Sequence, residues 1–367
     1  MINLKLLIFT NKYILEVTRK FFIYLSALVL TVSCVPDKGK EQKNGAQQNK
    51  AVEFRLTTID GSPERTVSID TMDIRNPFVR YDRNSNTYYM FGDGGGMWRS
   101  KDMRVWNGPY NVLDIDNAVW YNSVKSVIAP EVHKHDGHYY YLASFGRDSV
   151  GGEAGEISNR SCVALVADEI TGPYRNIDKE SVLIAQEEIA SYPTFVADEF
   201  NAGYMIYTHD DVKEGDSSLK IIRFNDSFSR RLGEAYVMLK SSDVVSLTDK
   251  NGNKLPVQSI ESPYLFVTDC DEAGLLFTAN CDGESVIGVA YTKKSLGHWL
   301  NGPWVAEPEP LVSGNVGGAS LFTDYDGTRV MVFHKDTLLN GKHMSLPCFM
   351  KVDTELEKLE TKEYYNF

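Results

Sequence analysis

Acidic residues at the starts of apolar segments are the first candidates for chemistry in this sequence. Glu261 stands in IESPYLFV (260–267), two residues before a proline, and Glu131 stands in APEVH, directly after one. A carboxyl group can donate a proton in one state and accept one in the other, so such residues suit general acid–base catalysis. The similar segment IRNPF carries Asn76, whose amide cannot take a proton from water at neutral pH. Glu261 and Glu131 are therefore candidates for proton transfer, and Asn76 is not.

Short strands joined by turns must position these residues. An aromatic-rich strand is followed by a second strand and by a polar turn that Gly-Pro often closes. Helical periodicity is nearly absent, and such spacing is typical of an all-β sandwich, barrel or propeller. Repetition favours a five-bladed β-propeller with about 60 residues per blade. The five units contain YYMFG (88–92), YYYLASF (139–145), GYMIYTH (203–209), LLFTAN (275–280) and RVMVFHK (329–335).

The composition narrows the class of partner. The chain has 367 residues, of which 43% are hydrophobic and 24% charged, so it can bury a core. The net charge of −12 argues against nucleic acid as a partner, because binding to phosphates needs clustered Lys and Arg. The 20 Tyr, 17 Phe and 5 Trp suit β-structure, and they also suit surfaces that stack on sugars.

The first residues have the pattern of an export signal. Arg19 and Lys20 precede an apolar run (21–33) that is too short to span a bilayer as a helix, and the run ends at Cys34. LTVSC resembles a lipoprotein cleavage site, so we predict a signal peptide over 1–34 and lipidation of Cys34. Residues 35–66 are a polar tether and lead-in, and 67–367 form the propeller. The implied protein is exported and anchored by lipid to a bacterial membrane, facing the periplasm or the cell surface.

Four further cysteines, Cys162, Cys270, Cys281 and Cys348, show no metal-ligand spacing. Cys270 and Cys281 either pair across a hairpin or stay as free thiols.

Taken in order, the motifs resemble glycoside hydrolase family 43, the five-bladed propeller family of arabinofuranosidases, xylosidases and related enzymes. The resemblance runs from about residue 70 to 355. It rests on IRNPFVRYDRNSNTYYMFG and WRSKDMRVWNGPY in blade 1, APEVHKHDGHYYYLASF in blade 2, IESPYLFV in blade 4 and GGASLFTDYDGTRVMVFHK in blade 5.

The resemblance implies an inverting mechanism, in which a general acid protonates the leaving oxygen and a general base activates water. Glu261 matches the family's acid on blade 4. Asn76 occupies the place of the base on blade 1, where the family has aspartate. Tyr192 replaces a third carboxylate, on blade 3, that orients the acid and tunes its pKa.

Three interpretations of the altered base stay open. Another carboxylate does its work, with Asp73 the first alternative and Asp70 and Asp93 further ones. Alternatively, Asn76 itself orients the water, since the resemblance extends to galactan-cleaving members that lack the usual base. In the third interpretation, the protein is a non-catalytic, lipid-anchored glycan-binding propeller.

Other residues are expected around the sugar. Glu131, Tyr192, Trp120 and His209 are predicted to bind substrate, with Trp120 as a stacking wall. His334 matches a histidine that lies beside a central calcium ion in many family members. Calcium prefers oxygen ligands, so His334 would act through water, and calcium would be structural. No cofactor is required for the reaction. The expected substrate is an arabinofuranoside, xyloside or galactoside bond of an oligo- or polysaccharide.

Overall fold

A computed structural model of the chain describes residues 63–115, 124–147, 160–177, 189–211, 215–244, 247–249, 251–292, 302–355 and 358–365. The predicted signal peptide with Cys34, nearly all of the tether, and Trp120 lie outside these residues. Strands dominate the described chain, with two single turns of 3₁₀-helix at Ile69–Thr71 and Ser241–Asp243. No helix within these ranges is both long and apolar enough to span a membrane.

Five antiparallel sheets follow one another along the chain, so the predicted five-bladed β-propeller is confirmed. Blade 1 contains β1 (Arg65–Ser68), β2 (Phe78–Asp82), β3 (Thr87–Phe91), β4 (Met97–Ser100) and β5 (Val105–Tyr110). Blade 2 contains β6 (Val124–His135), β7 (His138–Arg147), β8 (Arg160–Ala167) and β9 (Arg175–Asn176). Blade 3 contains β10 (Ala190–Ala197), β11 (Gly203–Asp211), β12 (Asp216–Phe224) and β13 (Arg231–Lys240). Blade 4 contains β14 (Val257–Val267), β15 (Ala273–Cys281), β16 (Glu284–Thr292), β17 (Val305–Ala306) and β18 (Val312–Ser313). Blade 5 contains β19 (Val316–Thr323), β20 (Arg329–Leu339), β21 (Lys342–Asp353) and β22 (Glu360–Tyr364).

The first strands of the blades form the inner ring. β2 contacts β6, β6 contacts β10, β10 contacts β14, β14 contacts β19, and β19 contacts β2. In blade 1 the early strand β1 pairs with β5 and so lies at the far edge from β2. Each blade therefore presents its innermost strand, β2, β6, β10, β14 or β19, to the axis, where residues from all five blades can meet.

Apolar side chains fill every joint between neighbouring blades. Five separate clusters of buried residues lie between blades 1 and 2, 2 and 3, 3 and 4, 4 and 5, and 5 and 1. A blade buried on both faces needs apolar residues at consecutive positions, which is why β3 (TYYMF) is buried throughout instead of alternating. Trp106 is fully buried in the cluster between blades 5 and 1.

A polar seam supplements the apolar contact between blade 5 and blade 1. The fully buried carboxylate of Asp324 accepts hydrogen bonds from the hydroxyls of Tyr88 and Tyr365 and from the backbone N–H of Tyr325. Tyr88 belongs to blade 1, while Asp324 belongs to the turn between β19 and β20. The ring is thus closed by side chains across this joint, and among the described residues no strand is exchanged between the first and last blades.

The four cysteines of the described chain are free thiols. Cys270 lies in the turn between β14 and β15, and Cys281 lies at the far end of β15, where it pairs in register with Val257. A disulfide across this hairpin, one of the two predicted alternatives, is therefore wrong.

Candidate active site

The inner strands of blades 2 to 5 are interrupted at the same level. In blades 2 to 5, strand pairing stops after Ile128, Ser191, Glu261 and Gly317 and resumes three residues later, at Glu131, Thr194, Tyr264 and Ser320. The residue after each stop has a positive φ, as does Asn76 in blade 1: the values are 50° for Asn76, 47° for Ala129, 53° for Tyr192, 54° for Ser262 and 62° for Gly318.

Proline accounts for three of these four interruptions, and it also follows Asn76 in blade 1. Pro77, Pro130, Pro193 and Pro263 each follow the residue of positive φ. Proline has no N–H and cannot continue a hydrogen-bond ladder, so the strand bulges there. Non-glycine residues with positive φ are uncommon, and strained backbone of this kind clusters at functional sites. We name the five residues of positive φ the bulge ring.

A small cavity lies where the five inner strands meet. Its volume is about 20 Å³, room for about one water molecule. Its lining residues come from every blade: Asn76, Pro77, Phe78, Ala129, Glu131, Tyr192, Pro193, Ser262, Pro263, Gly318, Ala319 and Ser320.

Glu261 occupies the last paired position of β14 before its bulge, opposite Thr278. Burial raises the pKa of its carboxyl, while the charges of Arg75 and Arg160 and a hydrogen bond from Asn280 partly oppose that rise. A carboxyl with a raised pKa keeps its proton into the pH range where a solvated glutamate has lost it, which is what a proton donor requires.

Arg75 reaches the same region from blade 1. Its Nη1 lies 2.6 Å from Oδ2 of Asp336, and the other oxygen of Asp336 accepts a hydrogen bond of 2.5 Å from the hydroxyl of Ser345. Residues of blade 5 thus hold the guanidinium in place. Its charge acts on Glu261 and on Tyr192, so Arg75 lies close to both.

Asn76 is fixed by two neighbouring groups. Its Nδ2 donates a hydrogen bond to Asp93 Oδ1 over 3.0 Å, and its backbone N–H donates to His334 Nδ1 over 3.3 Å. Because Nδ2 is held by Asp93, the amide oxygen Oδ1 is turned the other way, toward Gly318: a Cβ on Gly318 would lie 2.5 Å from it. The side chain presents an acceptor at the bulge ring.

Asp93 bridges two blades. Its Oδ1 also accepts a 2.8 Å hydrogen bond from the backbone N–H of Ala129 in blade 2. Burial raises the pKa of Asp93, while these donors and the nearby Arg75 lower it in part. Among the described residues no hydrogen bond reaches the other oxygen, Oδ2, which leaves it open to a ligand or to water.

The remaining alternatives for the base lie at the rim between blades 1 and 5. Asp73 is exposed, and its carboxylate binds Lys342 Nζ at 3.1 Å and the backbone N–H of Ser345 at 3.0 Å. Asp70 is exposed in the 3₁₀ turn and faces an outer groove formed by blades 1 and 5. Of the three carboxylates named from the sequence, Asp93 is the one that contacts Asn76.

Tyr192 holds the bulge position of blade 3 and lines the axial cavity. Its backbone N–H donates a 2.7 Å hydrogen bond to Ser144 Oγ. Burial raises the pKa of its phenol, and the negative charge of Glu261 raises it further, so Tyr192 stays neutral beside the acid. The structure thus brings together Glu261, Asn76 and Tyr192, three of the residues singled out from the sequence.

Glu131 lies beyond the bulge of blade 2, at the level of Thr194 and Ser320, and not at the level of Glu261. Its Oε2 contacts His133 Nε2 at 2.6 Å and accepts a 2.7 Å hydrogen bond from Thr194 Oγ1. These contacts occupy one carboxylate oxygen beside the axial cavity.

The two histidines differ in position. His334 pairs in register with Gly317, directly before the bulge ring. The matching residue of blade 3 is Thr208, which pairs with Ser191, while His209 pairs with Ala190 one step further along the strand. His209 is therefore not the counterpart of His334, because a shift of one residue turns a strand side chain to the opposite face.

The surroundings of His334 do not suit direct binding of calcium. His334 is buried, and its Nε2 has no hydrogen-bond partner in the described part of the chain. Burial and the charge of Arg75 lower its pKa to about 3. The described residues contain no group of three or more His, Cys, Asp or Glu side chains arranged for a metal ion. Calcium prefers six to eight oxygen ligands, so a structural calcium stays a prediction and carries no chemical step here.

Three charged residues of the site were missed in the sequence: Arg75, Arg160 and Asp210. Arg75 stands inside the IRNPF motif and Asp210 directly follows His209, so proximity to motifs was the available signal. Arg160 begins β8 outside any motif, yet its charge acts on Asp93, Tyr192, Asp210 and Glu261.

Comparison with known proteins agrees with this architecture. The family model described as glycosyl hydrolases family 43 matches residues 69–354. No curated protein matches the sequence significantly.

Several solved structures share the fold. An endo-arabinase from Bacteroides thetaiotaomicron VPI-5482 aligns with a TM-score of 0.62 and 20% identity, over 80% of this chain and 96% of that one. An endo-1,4-beta-xylanase from the same organism gives 0.60 and 16%, over 79% and 94%. The alpha-L-arabinanase of Cellvibrio cellulosa complexed with arabinohexaose gives 0.53 and 18%, over 79% and 96%. At these identities the likeness shows the fold.

Proposed function

The chain belongs to glycosyl hydrolases family 43, and on that premise we propose that it hydrolyses terminal or side-chain glycosidic bonds of a polysaccharide with inversion. The bond is of the arabinofuranoside, xyloside or galactoside type. The observation that carries the proposal is Glu261, a carboxyl with a raised pKa at the level of the bulge ring, where residues of several blades converge.

Glu261 is the general acid of this proposal. It protonates the glycosidic oxygen as the bond to the anomeric carbon breaks, and it becomes a carboxylate. The positive charge of Arg75 and the hydrogen bond from Asn280 stabilise that carboxylate once the proton has left. Arg75 itself is held by Asp336, so its charge does not need to be reoriented during the reaction.

Asp93 and Asn76 share the work of the missing base. Asn76 Oδ1 accepts a hydrogen bond from the attacking water, and the open oxygen of Asp93 takes its proton. The raised pKa of Asp93 supports this role, because a base works best when its pKa lies near the operating pH. Asp73, the first alternative from the sequence, is bound to Lys342 at the rim and is less suited to the role.

The names of the structural neighbours support the substrate class. They are arabinanases and a xylanase, and one is complexed with arabinohexaose. We place Tyr192 and Arg160 at the walls of the sugar site, and Trp120 stays a proposed stacking residue. We assign Glu131 a structural role at the axial cavity. For His209 we propose sugar binding, and the reason is that it directly precedes Asp210.

Export and lipid anchoring at Cys34 are part of the same proposal. They would place the enzyme on a bacterial membrane, at the periplasmic or the outer face, where polysaccharide or its fragments arrive. Labelling cells with a radioactive fatty acid, with Cys34→Ser as the control, tests this.

Turnover is tested with the purified mature protein. It is given aryl α-L-arabinofuranosides, β-D-xylosides and β-D-galactosides, with arabino- and xylo-oligosaccharides in parallel. We expect release of the aryl alcohol from at least one class of substrate, and loss of that release in Glu261→Gln. NMR should show that the first-formed anomer of the product is inverted relative to the substrate. Sugar binding detected by calorimetry without any turnover would instead support the alternative function, a non-catalytic glycan-binding propeller. The replacements at Asn76 and Tyr192 are the observation that favours this alternative.

A further inference from the structure

Blade 3 supplies a carboxylate near Glu261 by a route that the motifs do not show. Asp210 lies near the end of β11 and pairs in register with Ser217 of β12. Ser217 Oγ accepts a 2.6 Å hydrogen bond from the backbone N–H of Ile260, the residue directly before Glu261. Paired residues of antiparallel strands lie about 5 Å apart at Cα. Asp210 is therefore held over the joint between blades 3 and 4, beside the acid.

The hydrogen bond from Ile260 is particular to this joint. At three other joints the backbone N–H of the bulge residue is bound by the preceding blade through a second-strand side chain: Tyr192 by Ser144, Gly318 by Thr278 and Asn76 by His334. The matching side chain in blade 3 is Thr208, whose buried hydroxyl has no partner among the described residues. At this joint Ser217, the strand partner of Asp210, accepts the hydrogen bond from the next blade instead. This shift brings Asp210 to the joint.

The carboxylate of Asp210 is only partly exposed, yet no hydrogen bond or ion pair to it is found among the described residues. Its backbone N–H is fixed by the carbonyl of Ile189 at 3.3 Å. The charges that act on it are those of Arg160 and His209, and its own charge acts on Glu261 across the joint. A half-buried carboxyl with no hydrogen bond or ion pair among the described residues is costly for stability.

We propose that Asp210 is the positioning carboxylate of this site, acting on Glu261 from blade 3 in place of the aspartate that Tyr192 has replaced. This inference rests on the proposed role of Glu261 as the proton donor. Asp210 and Glu261 are like charges, so ionisation of one disfavours ionisation of the other. Asp210 in its charged form keeps the proton on Glu261, and Arg160 lies near both carboxyls and limits the effect.

The electrostatics agree in direction. Asp210 adds to the rise in the pKa of Glu261 after burial, while Arg75, Asn280 and Arg160 oppose it. Burial raises the pKa of Asp210 itself, and Arg160 and His209 lower it in part. The two carboxyls are expected to titrate as a coupled pair, with two apparent steps.

The test follows the Glu261 carboxyl by NMR in protein labelled with ¹³C at the Asp and Glu carboxyls. The Glu261 signal is the one lost in Glu261→Gln, and this measurement needs no substrate. In Asp210→Asn we expect its midpoint to fall by about one pH unit, equivalent to a tenfold change in proton affinity. Asp226→Asn, at an exposed site in the same blade, is the matched control and should leave it unchanged.

Two further readouts complete the test. Asp210→Glu, which keeps the charge, should retain most of the wild-type midpoint, and the wild-type signal itself should titrate in two steps. If substrate is turned over, the basic limb of kcat/KM should move down by the same amount in Asp210→Asn. An unchanged Glu261 midpoint in Asp210→Asn overturns the proposal. If that variant does not fold, a wild-type Glu261 signal that titrates in a single step overturns it instead. Absence of turnover with a shifted midpoint contradicts the proposed hydrolase function alone.

Discussion

The side chains of Asn76 and Asp93 form one hydrogen-bonded unit, in which Asn76 Nδ2 donates to Asp93 Oδ1 over 3.0 Å. The family's base position therefore carries an amide with a carboxylate directly behind it. The backbone of Asn76 has a φ of 50°, a conformation that Asn and Asp both tolerate better than most residues. The amide is thus selected by its hydrogen bond to Asp93, since an aspartate would suit the backbone equally well.

Exchange of the two side chains tests this unit. Asn76→Asp alone places two carboxylates against each other, so we expect a loss of about 1–3 kcal/mol in the free energy of unfolding at pH 7. Asp93→Asn alone should reduce kcat by about 10²- to 10⁴-fold if Asp93 is the base. The double exchange restores one donor and one carboxylate, and should recover most of the stability and part of the rate.

Asp73→Asn is the matched control for that series. Its carboxylate is exposed and bound to Lys342, so the rate should change by less than about twofold, as is common for surface changes. A large rate loss in Asp73→Asn, with Asp93→Asn active, would return Asp73 to the role of base.

Glu261 has opposite effects on activity and stability. Burial raises its pKa in the folded protein, so the folded state keeps a proton that the unfolded chain has released. Stability is therefore lost as pH rises from the unfolded pKa through the folded one. Glu261→Gln removes this loss, and we expect a higher midpoint of thermal unfolding at pH 7 with the advantage shrinking toward pH 4.

Calorimetry of wild type and Glu261→Gln at both pH values measures the difference. Glu234→Gln, an exposed change on β13, is the control and should show no such trend. A Glu261→Gln protein that is less stable at pH 7 than at pH 4, relative to wild type, would mean that the carboxylate is stabilised in the folded state.

The architecture could be predicted from local patterns, since strand pairs, Gly-Pro turns and X-Pro bulges are specified by residues that are adjacent in the sequence. Glu261 and Asn76 were found in the same way. Contacts between distant segments could not be found: Arg75 and Asp336 are 261 positions apart, and no pattern in either segment specifies the other. The position of His209 could not be predicted for a different reason, because the register of β11 depends on a bulge in its partner strand.

His334 predicts a specific loss of stability in acid. Its pKa is lowered from 6.5 to about 3, so the folded protein excludes a proton that the unfolded chain binds. Stability should therefore fall as pH drops from 6.5 toward 3. In His334→Asn, which keeps an acceptor for the backbone N–H of Asn76, the slope of the unfolding free energy in this range should decrease by about 1.4 kcal/mol per pH unit.

Urea unfolding at a series of pH values gives these slopes. His138→Asn serves as the control, because the side chain of His138 is 52% exposed. Equal slopes for wild type and His334→Asn would show that His334 accepts a proton in the folded state, which would also weaken its assigned hydrogen bond from Asn76.

Gly318 is the bulge-ring residue that leaves room for Asn76. A Cβ there would lie 2.5 Å from Asn76 Oδ1 and 3.0 Å from Asn76 Cα, and its φ of 62° already disfavours any other side chain. Gly318→Ala should therefore combine backbone strain of about 1–2 kcal/mol with overpacking of about 1–3 kcal/mol. Gly327→Ala isolates the first contribution, because Gly327 has a φ of 93° and a Cβ added to it would meet no described atom within 4 Å.

The excess loss of stability in Gly318→Ala should come with reduced kcat, since the added methyl group displaces the amide oxygen that orients water. Equal unfolding free energies for the two variants, with unchanged kcat, would mean that Asn76 Oδ1 does not occupy the position facing Gly318 and that the water is bound elsewhere.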